Sequence, residues 1–354
     1  MASLDSMHYD FSRIDGAQKT FNFIVSARED GKSTASHIAK ARKAFREGGK
    51  PSIILRRNVN DISESYVESV REILWKFRLP GESPSLIYKK SDLDSGIVRV
   101  VDGETKKLRY MMVGISKKLG SIKSNVILNP AYMFFDEFIV NTRAGERYLP
   151  DEAFKFQEIY DTFYREADIP PKVYFMGNPY SFFNPYFAYY GINPRKGRFQ
   201  QGKNWAFEFH ELKPELKQYL KEHNPQFVDD DLYTRYAFSG EAINDLNIKI
   251  REKLPQNYAL FCYALVLGKT LAIYENNDPW DEDNQFWVGI CGTKIGMRRD
   301  VMAFDFSDLR PGSRLFSLED KITFERFKRA IQLRQVAYDT LESDYLIEGV
   351  YSNL

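Results

Sequence analysis

The sequence predicts an α/β protein built on a mostly parallel sheet with helices on both faces. The prediction rests on three runs rich in β-branched and aromatic residues, which alternate with helical patterns along the first half of the chain. The strand-like runs are 20–26, 52–57 and 172–178, and the helical patterns are 33–47, 61–78 and 150–166. Strands separated by helices connect through right-handed crossovers, which place neighbouring strands parallel to one another.

The composition is that of a globular protein large enough for two domains. The chain has 354 residues and is 43% hydrophobic, and a single core rarely grows past about 250–300 residues. The first residues contain no apolar run, and the apolar stretch 258–268 is far shorter than the roughly 20 residues that span a bilayer. We therefore expect a cytoplasmic protein with no membrane contact. The net charge of +1 means that a polyanionic partner must meet locally basic surface.

The pattern of elements predicts where the domains divide. We expect a first domain over 1–195, a linker or helical connection over 196–254 and a smaller domain over 255–354. Residues 191–203 are rich in Gly, Pro, Lys and Arg without periodicity, which indicates the start of the linker. Residues 85–115 are predicted to form short inserted strands.

The last hundred residues have their own pattern. Apolar runs at 257–277 and 285–292 predict antiparallel strands, and a helix is predicted over 318–341. Cys262 and Cys291 lie in strand-like runs far apart in sequence, which favours two buried thiols over a metal pair.

The stretch "SAREDGKS", residues 26–33, has the spacing of a phosphate-binding loop (P-loop, or Walker A motif), with Ser26 in place of the first glycine. Such a loop follows a buried strand and opens a helix, so that backbone N–H groups point at phosphate. Gly31 allows close approach of the backbone, Lys32 supplies positive charge to the β- and γ-phosphates, and the Ser33 hydroxyl suits magnesium. The competing interpretation is a plain strand-turn-helix whose lysine is solvated.

A second motif, "AYMFFDEF" at 131–138, ends an apolar run in two adjacent carboxylates. In an ATPase such a pair forms the Walker B motif: Asp136 holds the magnesium shell and Glu137 polarises the attacking water. An exposed acidic pair after a core strand is the structural alternative. A third run, "KVYFMGN" at 172–178, ends in Asn178. We expect Asn178 beside Glu137, where it could sense the γ-phosphate or hold the glutamate inactive, unless it only begins an Asn-Pro turn.

Taken together, "SAREDGKS", "SIILRRN", "FFDEFI", "DTFYRE" and "MGNPYSFFNPYF" resemble the DNA-packaging (encapsidation) ATPases of phi29-like small tailed bacteriophages, relatives of the large terminase subunits. The resemblance implies a P-loop ATPase fold of the ASCE type, followed by an RNase H-like α/β domain without nuclease chemistry. It also implies a homo-oligomeric ring, pentameric in that family, which docks on the portal vertex of a procapsid in the host cytoplasm and drives double-stranded DNA inward. A structural packaging RNA is a further partner to consider.

The same resemblance assigns roles to residues. ATP and Mg²⁺ are the implied cofactors, and the metal ligands are Ser33 and Asp136. Glu137 is the catalytic carboxylate, Asn178 switches it, and Arg28 reaches the γ-phosphate from the same subunit. Arg165 matches the arginine finger given to the neighbouring subunit; a helix-end arginine in solvent is the alternative. The nucleotide-binding residues are Ser26, Ala27, Arg28, Glu29, Asp30, Gly31, Lys32, Ser33 and Thr34.

DNA contacts are less well marked in the sequence. Packaging does not depend on DNA sequence, so the contacts should be basic side chains on phosphates. The candidates are Arg56, Arg57, Lys106, Lys107, Lys117, Lys118 and Lys123, and each could equally be a solvated charge.

A terminase-type nuclease would need carboxylates that project from core strands toward two metal ions. The acids of the second domain crowd a loop instead, and they are Glu275, Asp278, Asp281, Glu282 and Asp283. We therefore favour a DNA translocase. Two other functions stay open: an ATPase with an active metal-dependent nuclease, and a non-enzymatic portal-associated protein.

Overall fold

The computed structural model describes residues 9–351, except for 125–128, 142–145, 166, 182–183, 193, 195–197, 224–248, 267, 279, 282, 292–300, 305, 318 and 334. It divides into two compact units, Met1–Ile243 and Asn244–Leu354. Within the part of the chain that is described, no helix combines the length and apolarity needed to span a membrane.

The first unit contains nine strands and eight helices in its described residues. The strands are β1 (Phe21–Ser26), β2 (Ser52–Arg56), β3 (Leu86–Ile87), β4 (Ile97–Asp102), β5 (Leu108–Gly114), β6 (Tyr132–Asp136), β7 (Lys172–Gly177), β8 (Phe199–Gln201) and β9 (Trp205–His210). The helices are α1 (Ser12–Gly16), α2 (Lys32–Ala35, a π-helical Ser36–Ala41 and Arg42–Gly48), α3 (Glu64–Lys76), α4 (Ser91–Ser95), α5 (Leu119–Lys123), α6 (Glu152–Arg165), α7 (Pro185–Tyr190) and α8 (Pro214–His223).

All nine strands form one sheet in the order β3-β4-β5-β2-β6-β7-β1-β9-β8. The six central strands, from β5 to β9, are parallel, and antiparallel strands close both edges. β7 lies between β1 and β6, so one strand separates the phosphate-loop strand from the acid-pair strand. This confirms the predicted ASCE-type α/β sheet.

Helices pack on both faces because the central strands are apolar on both sides. On one face, Phe23, Phe135 and Phe175 pack against Phe156 and Phe163 of α6. On the other face, the core is formed by Ile24, Ile54, Phe134 and Tyr174 from the sheet with Ile14, Ala35, Val67, Val70 and Leu74 from α1, α2 and α3. The sheet is therefore held rigidly from both sides, and its strand ends are fixed in space.

The predicted linker is wrong in its first part. Residues 199–201 and 205–210, assigned to the connection, form β8 and β9 and complete the first sheet. β9 adds to β1 in parallel, from Phe21↔Trp205 to Ser26↔His210. The alternating "WAFEFH" strand was missed because the Gly-, Pro- and Lys-rich residues 191–203 before it indicate a linker. Much of the remaining predicted connection, 224–248, lies outside the described residues.

The second unit is a seven-stranded mixed sheet in the order β10-β16-β13-β12-β11-β14-β15. Its elements are β10 (Lys249–Ile250), β11 (Tyr258–Val266), β12 (Lys269–Asn276), β13 (Phe286–Cys291), β14 (Val301–Ala303), β15 (Arg314–Leu315), α9 (Asp320–Gln332), β16 (Val336–Tyr338) and α10 (Leu341–Tyr351). The antiparallel strands β11, β12 and β13 confirm the predicted α/β domain with antiparallel strands.

The single closing helix predicted over 318–341 is wrong. α9 ends at Gln332, and the apolar run 336–338 forms β16, which pairs in parallel with β13. A three-residue strand is too short for periodicity to separate it from a helix.

Candidate nucleotide site

The polar side chains predicted to act together meet at the carboxyl edge of the parallel strands. The register pairs Val25 of β1 with Gly177 of β7, and Met176 of β7 with Asp136 of β6. Carboxyl ends of parallel strands lie at one edge, where open α/β sheets bind their ligands. The phosphate loop, the acid pair and Asn178 therefore lie side by side.

The loop itself is built by two left-handed residues. Glu29 has a φ of 69° and Gly31 a φ of 71°, and α2 begins at Lys32. The loop reverses the chain between a fully buried strand and a helix, as the motif predicts. Arg28 and Glu29 are exposed on the loop, whereas Asp30 is buried.

Lys32 is held inward rather than solvated. Its side chain is buried, and its ammonium donates to the Ser26 hydroxyl at 2.8 Å, the carbonyls of Ser26 and Ala27 at 3.1 Å each, and Asn178 Oδ1 at 3.3 Å. Burial lowers the pKa of Lys32. The serine that replaces the usual glycine thus supplies a ligand for the lysine, and its backbone does not need the left-handed conformation of glycine.

Ser33 joins the loop to the acid pair. Its hydroxyl donates to Asp136 Oδ2 at 2.9 Å, across 103 residues of sequence. Burial raises the pKa of the Asp136 carboxyl, and the Arg56 guanidinium, 3.7 Å away, opposes that rise. A hydroxyl and a carboxylate in contact are the oxygen donors that Mg²⁺ takes alongside substrate phosphates. Ser33 and Asp136 therefore fit the predicted metal.

Glu137 lies just beyond the strand end in a left-handed conformation, with a φ of 59°. Its side chain is 60% exposed and pairs with Arg56 at the end of β2. The next turn packs closely over β7, because a Cβ on Gly177 would lie 2.9 Å from the Phe138 ring. The left-handed backbone of Glu137 is strained for a residue with a side chain. Such strain persists where the surrounding structure fixes the backbone, and it is concentrated at functional sites.

Arg57 has a structural role that the sequence did not indicate. Its side chain is 7% exposed and its Nε lies 2.8 Å from Glu152 Oε2, which is fully buried. Its other nitrogens donate to the carbonyls of Glu137 at 3.1 Å and Phe138 at 2.8 Å. Tyr186 also donates to Glu152, at 2.9 Å. The buried pair thus fixes the turn that carries Glu137.

Two predictions differ from the contacts in the structure. Arg56, a predicted DNA contact, pairs with Asp136 and Glu137 because β2 ends next to β6, and Arg57, also a predicted DNA contact, pairs with the buried Glu152 of α6. Asn178 accepts from Lys32, and the group paired with Glu137 is Arg56. The signal available in the sequence was Arg56 of "SIILRRN", because a charged residue at the carboxyl end of this strand lies beside the acids that end β6.

Arg165 lies far from the edge of the sheet at which Lys32 and Asp136 meet. It is the last residue of α6, which begins at Glu152 beside Arg57 and leads into the start of β7. A helix of 14 residues is about 21 Å long, so it carries Arg165 toward the amino ends of the strands. Arg165 is exposed there.

The lysines proposed as DNA contacts divide between the two edges. Lys117, Lys118 and Lys123 follow β5, and Ser116 N–H donates to the Arg57 carbonyl at 2.9 Å, so this group lies at the nucleotide edge. Lys106 and Lys107 precede β5 in the β4–β5 hairpin, at the opposite edge. All but the half-buried Lys117 are exposed.

In the second unit, Glu275 lies in β12 and not in the predicted loop, and it pairs with Arg326 at 2.7 Å. Asp281 lies in the loop after β12 and accepts hydrogen bonds from Asn276 and Asn284. Glu282 lies outside the described residues. Among the residues that are described, no group of three or more His, Cys, Asp or Glu is placed to hold a metal ion.

The chain is similar to known proteins over most of its length. The family model of the Podovirus DNA encapsidation protein (Gp16) matches residues 99–283, more than half of the chain. The DNA packaging protein of Bacillus phage B103 is 25% identical over 303 residues, covering 84% of this chain and 86% of that protein. The DNA packaging protein of Bacillus phage phi29 is 22% identical over 336 residues, covering 94% and 90%.

The fold is shared with a solved structure as well. A chain of the bacteriophage Phi-29 viral genome packaging motor assembly superimposes with a TM-score of 0.66 and 17% identity, covering 98% of this chain and 99% of that one. That likeness establishes the fold over both units. Together with the family match over residues 99–283, it leads to one conclusion: this chain belongs to the podovirus DNA encapsidation protein (Gp16) family.

Proposed function

We propose that this protein is the ATPase of a viral genome packaging motor, which uses ATP hydrolysis to drive double-stranded DNA into a procapsid. The observation that carries the proposal is the convergence of Lys32, Ser33, Asp136 and Glu137 at one edge of the sheet. A solvated loop lysine or an isolated acidic pair would not produce the 2.9 Å contact between Ser33 and Asp136.

The chemistry follows from the positions of these groups. Lys32 would exchange its present oxygen partners for the β- and γ-phosphates, and Mg²⁺ held at Ser33 and Asp136 would neutralise phosphate charge. Glu137, at the open end of the same edge, accepts a proton from the attacking water. Its ion pair with Arg56 must first open, so this arginine, not Asn178, is the group we propose to hold the glutamate inactive. Asn178, in contact with Lys32, is placed to sense the γ-phosphate.

The position of Arg165 supports a ring of subunits. It lies near the edge opposite Lys32, so it can serve as an arginine finger only for the nucleotide of a neighbouring copy. A guanidinium that arrives from the next subunit makes hydrolysis depend on ring contacts. Arg28, exposed on the loop, is the arginine we propose to act within the subunit. A ring of this kind would dock on the portal vertex, with a packaging RNA as a further candidate partner.

We propose DNA contacts at Lys117, Lys118 and Lys123 rather than at Arg56 and Arg57. These lysines share the nucleotide edge, and residue 116 is bonded to the backbone of Arg57. Phosphate contacts of this kind release counterions, so binding weakens steeply with salt.

The experiment is DNA-stimulated ATP hydrolysis by the full-length protein across a series of salt concentrations. We expect stimulation by duplexes of unrelated sequence, and a half-stimulating DNA concentration that rises steeply with salt. Replacing Lys117, Lys118 and Lys123 with Ala should flatten that dependence, whereas a change of the exposed Lys43 on α2 should not. A protein whose ATP turnover ignores DNA at every salt concentration is not a translocase of this kind.

The trans role of Arg165 has its own test. Arg165→Ala subunits should bind ATP normally and lose turnover. Mixed with Glu137→Gln subunits, they should regain some activity, because a subunit with intact Glu137 can then receive Arg165 from its neighbour. If mixing restores nothing at any ratio, the finger does not act between subunits.

A further inference from the structure

The side chain of Asp30, in the middle of the phosphate loop, lies among buried groups behind the loop. It is 0% exposed, and neither carboxylate oxygen has a well-formed hydrogen-bond partner among the described residues. A buried, poorly satisfied carboxylate costs free energy. In a loop that receives an anion, its negative charge also opposes the ligand. Such a group needs an explanation, and the surrounding residues supply one.

The nearest facing group with a titratable nitrogen is His210, the last residue of β9. Its Nε2 lies 3.7 Å from Asp30 Oδ1, and this nitrogen is also buried without a hydrogen-bond partner in the described structure. One proton on either atom would let the two unsatisfied atoms bond to each other after a shift of less than 1 Å. On its other side, His210 Nδ1 lies 3.8 Å from Glu208 Oε1.

The N-terminal segment closes this cluster. The Tyr9 hydroxyl donates to Glu208 Oε2 at 2.6 Å, and the Tyr9 N–H donates to the Asp30 carbonyl at 2.9 Å. The charged and titratable groups that face the Asp30–His210 pair are Lys32 on the loop, Glu208 on β9, Tyr9 and Arg13 on the N-terminal segment, and Lys213 after β9. Burial raises the pKa of the Asp30 carboxyl, and Lys32, His210 and the Ser26 hydroxyl offset part of that rise.

We propose that Asp30 and His210 form a proton-binding pair behind the phosphate loop, which takes up a proton when the triphosphate binds and thereby positions the loop for ATP. The inference rests on the proposed nucleotide site. Both residues are positioning residues, because they act through the loop backbone and Lys32. Bringing a triphosphate to the loop makes an ionised Asp30 still more costly, so the protonated pair binds ATP more tightly than the deprotonated pair.

The sign of the effect is therefore fixed. ATP affinity should fall as pH rises through the titration of the Asp30 carboxyl, by at most about tenfold per pH unit, the limit for one linked proton. Asp30→Asn mimics the protonated carboxyl, so its affinity should match or exceed that of the wild type at high pH and lose this dependence. His210→Gln should weaken the dependence as well. His223→Gln, on an exposed histidine of α8, is the matched control and should behave as the wild type.

The direct measurement is titration calorimetry of the full-length protein with Mg²⁺ and a non-hydrolysable ATP analogue, in buffers of different ionisation enthalpy. The proton count on binding should be lower in Asp30→Asn than in the wild type by up to about one proton. Protons released or taken up by the analogue itself are common to all variants and cancel in the difference. Equal proton counts in the wild type, Asp30→Asn and His210→Gln overturn the inference.

A nucleotide-free measurement separates this pair from an ordinary structural role. Because the folded pKa of Asp30 is raised above its ordinary value of 3.8, the wild type loses stability relative to Asp30→Asn as pH rises from there through the folded pKa. Thermal unfolding should show that the stability of Asp30→Asn relative to the wild type increases as pH rises. A loss of stability that is the same at every pH contradicts the proposal.

The two proposals fail differently. If Lys32→Ala abolishes analogue binding while the proton counts of the pair variants stay at the wild-type value, only this inference falls. If the wild type itself does not bind the analogue, the nucleotide site falls and the inference falls with it.

Discussion

The two sheets of this protein present their charged residues in opposite ways. In the first, parallel strands β2, β6 and β7 all end at the edge where Lys32 lies, so Arg56, Asp136 and Asn178 meet across it. In the second, β11, β12 and β13 alternate in direction, and Asp281 lies in the loop between two of them, where it accepts hydrogen bonds from Asn276 and Asn284.

The difference shows how strand direction decides which side chains can cooperate. Parallel strands deliver residues from distant parts of the chain to one edge, whereas antiparallel strands alternate the edges at which they end. The first sheet also fixes its charges by burial: the Arg57–Glu152 pair is almost inaccessible. In the second unit, the Arg314–Asp320 pair has an arginine that is 49% exposed. The first edge is therefore held by a buried ion pair, whereas the pair in the second unit keeps its arginine half exposed.

The largest expected effect comes from Glu137→Gln. The amide cannot accept the proton of the attacking water, so ATP turnover should fall by about 10²–10⁴-fold while ATP binding is kept. Turnover is measured at saturating ATP, and Glu104→Gln, an exposed glutamate of the β4–β5 hairpin, should leave it unchanged. A Glu137→Gln protein that hydrolyses ATP at the wild-type rate would place the catalytic base elsewhere.

Breaking the buried pair should cost stability on a scale that the exposed pair cannot match. Arg57→Met leaves Glu152 buried without its cation, so unfolding should become easier by about 3–5 kcal/mol. Arg314→Met, the matched control in the second unit, should cost no more than about 1 kcal/mol, since Arg314 is half exposed and Asp320 keeps its hydrogen bonds from Ser317. Thermal unfolding of both variants checks the difference, and equal costs would remove the contrast between the regions.

A smaller effect is expected at Arg56. Arg56→Gln releases Glu137 from an ion pair of about 0.5–1 kcal/mol, so hydrolysis without DNA should rise roughly two- to fivefold, and DNA should stimulate it less. Arg71→Gln, in an exposed pair with Glu68 on α3, serves as the control. Basal hydrolysis that falls or stays unchanged in Arg56→Gln argues against Arg56 as the group that restrains the glutamate.

The smallest effect is expected in the acidic loop of the second unit. Asp281→Asn should change ATP turnover by no more than about twofold, as for a surface substitution of about 0.5 kcal/mol or less. Incubation of plasmid DNA with divalent metal tests the same residue for cleavage. Metal-dependent cutting by the wild type that Asp281→Asn abolishes would restore the nuclease hypothesis.

The sequence predicted the first sheet well because its central strands are apolar on both faces and the helices α2, α3 and α6 are long. The loop at 26–33 and the acids at 136–137 could be assigned because each follows a buried strand directly, and parallel strands bring such ends together. β9 was missed because the glycine- and lysine-rich residues before it resemble a linker. β16 was missed because a strand of three residues is too short to show a hydrophobic period. Short elements acquire their structure from the neighbours they pair with.

Contacts between side chains were predicted less well than their location. Asn178 was expected beside Glu137. In the sheet register, β7 extends one residue beyond the end of β6, and the Asn178 side chain contacts Lys32 instead. Arg57 looked like a surface cation, since nothing in the sequence marks Glu152, 95 residues away, as its buried partner. The burial of Asp30 against His210 depends on β9 pairing with β1, which the predicted linker had excluded.

The central claim is that the loop lysine and the acid pair serve one triphosphate, and equilibrium binding of ATP with and without Mg²⁺ tests it most directly. We expect the wild type and Lys43→Ala to bind ATP and to bind it more tightly with Mg²⁺. Lys32→Ala should lose binding, and Asp136→Asn should lose only the gain from Mg²⁺. If Lys32→Ala binds ATP as the wild type does, or Asp136→Asn keeps the full effect of Mg²⁺, the two motifs do not share a nucleotide.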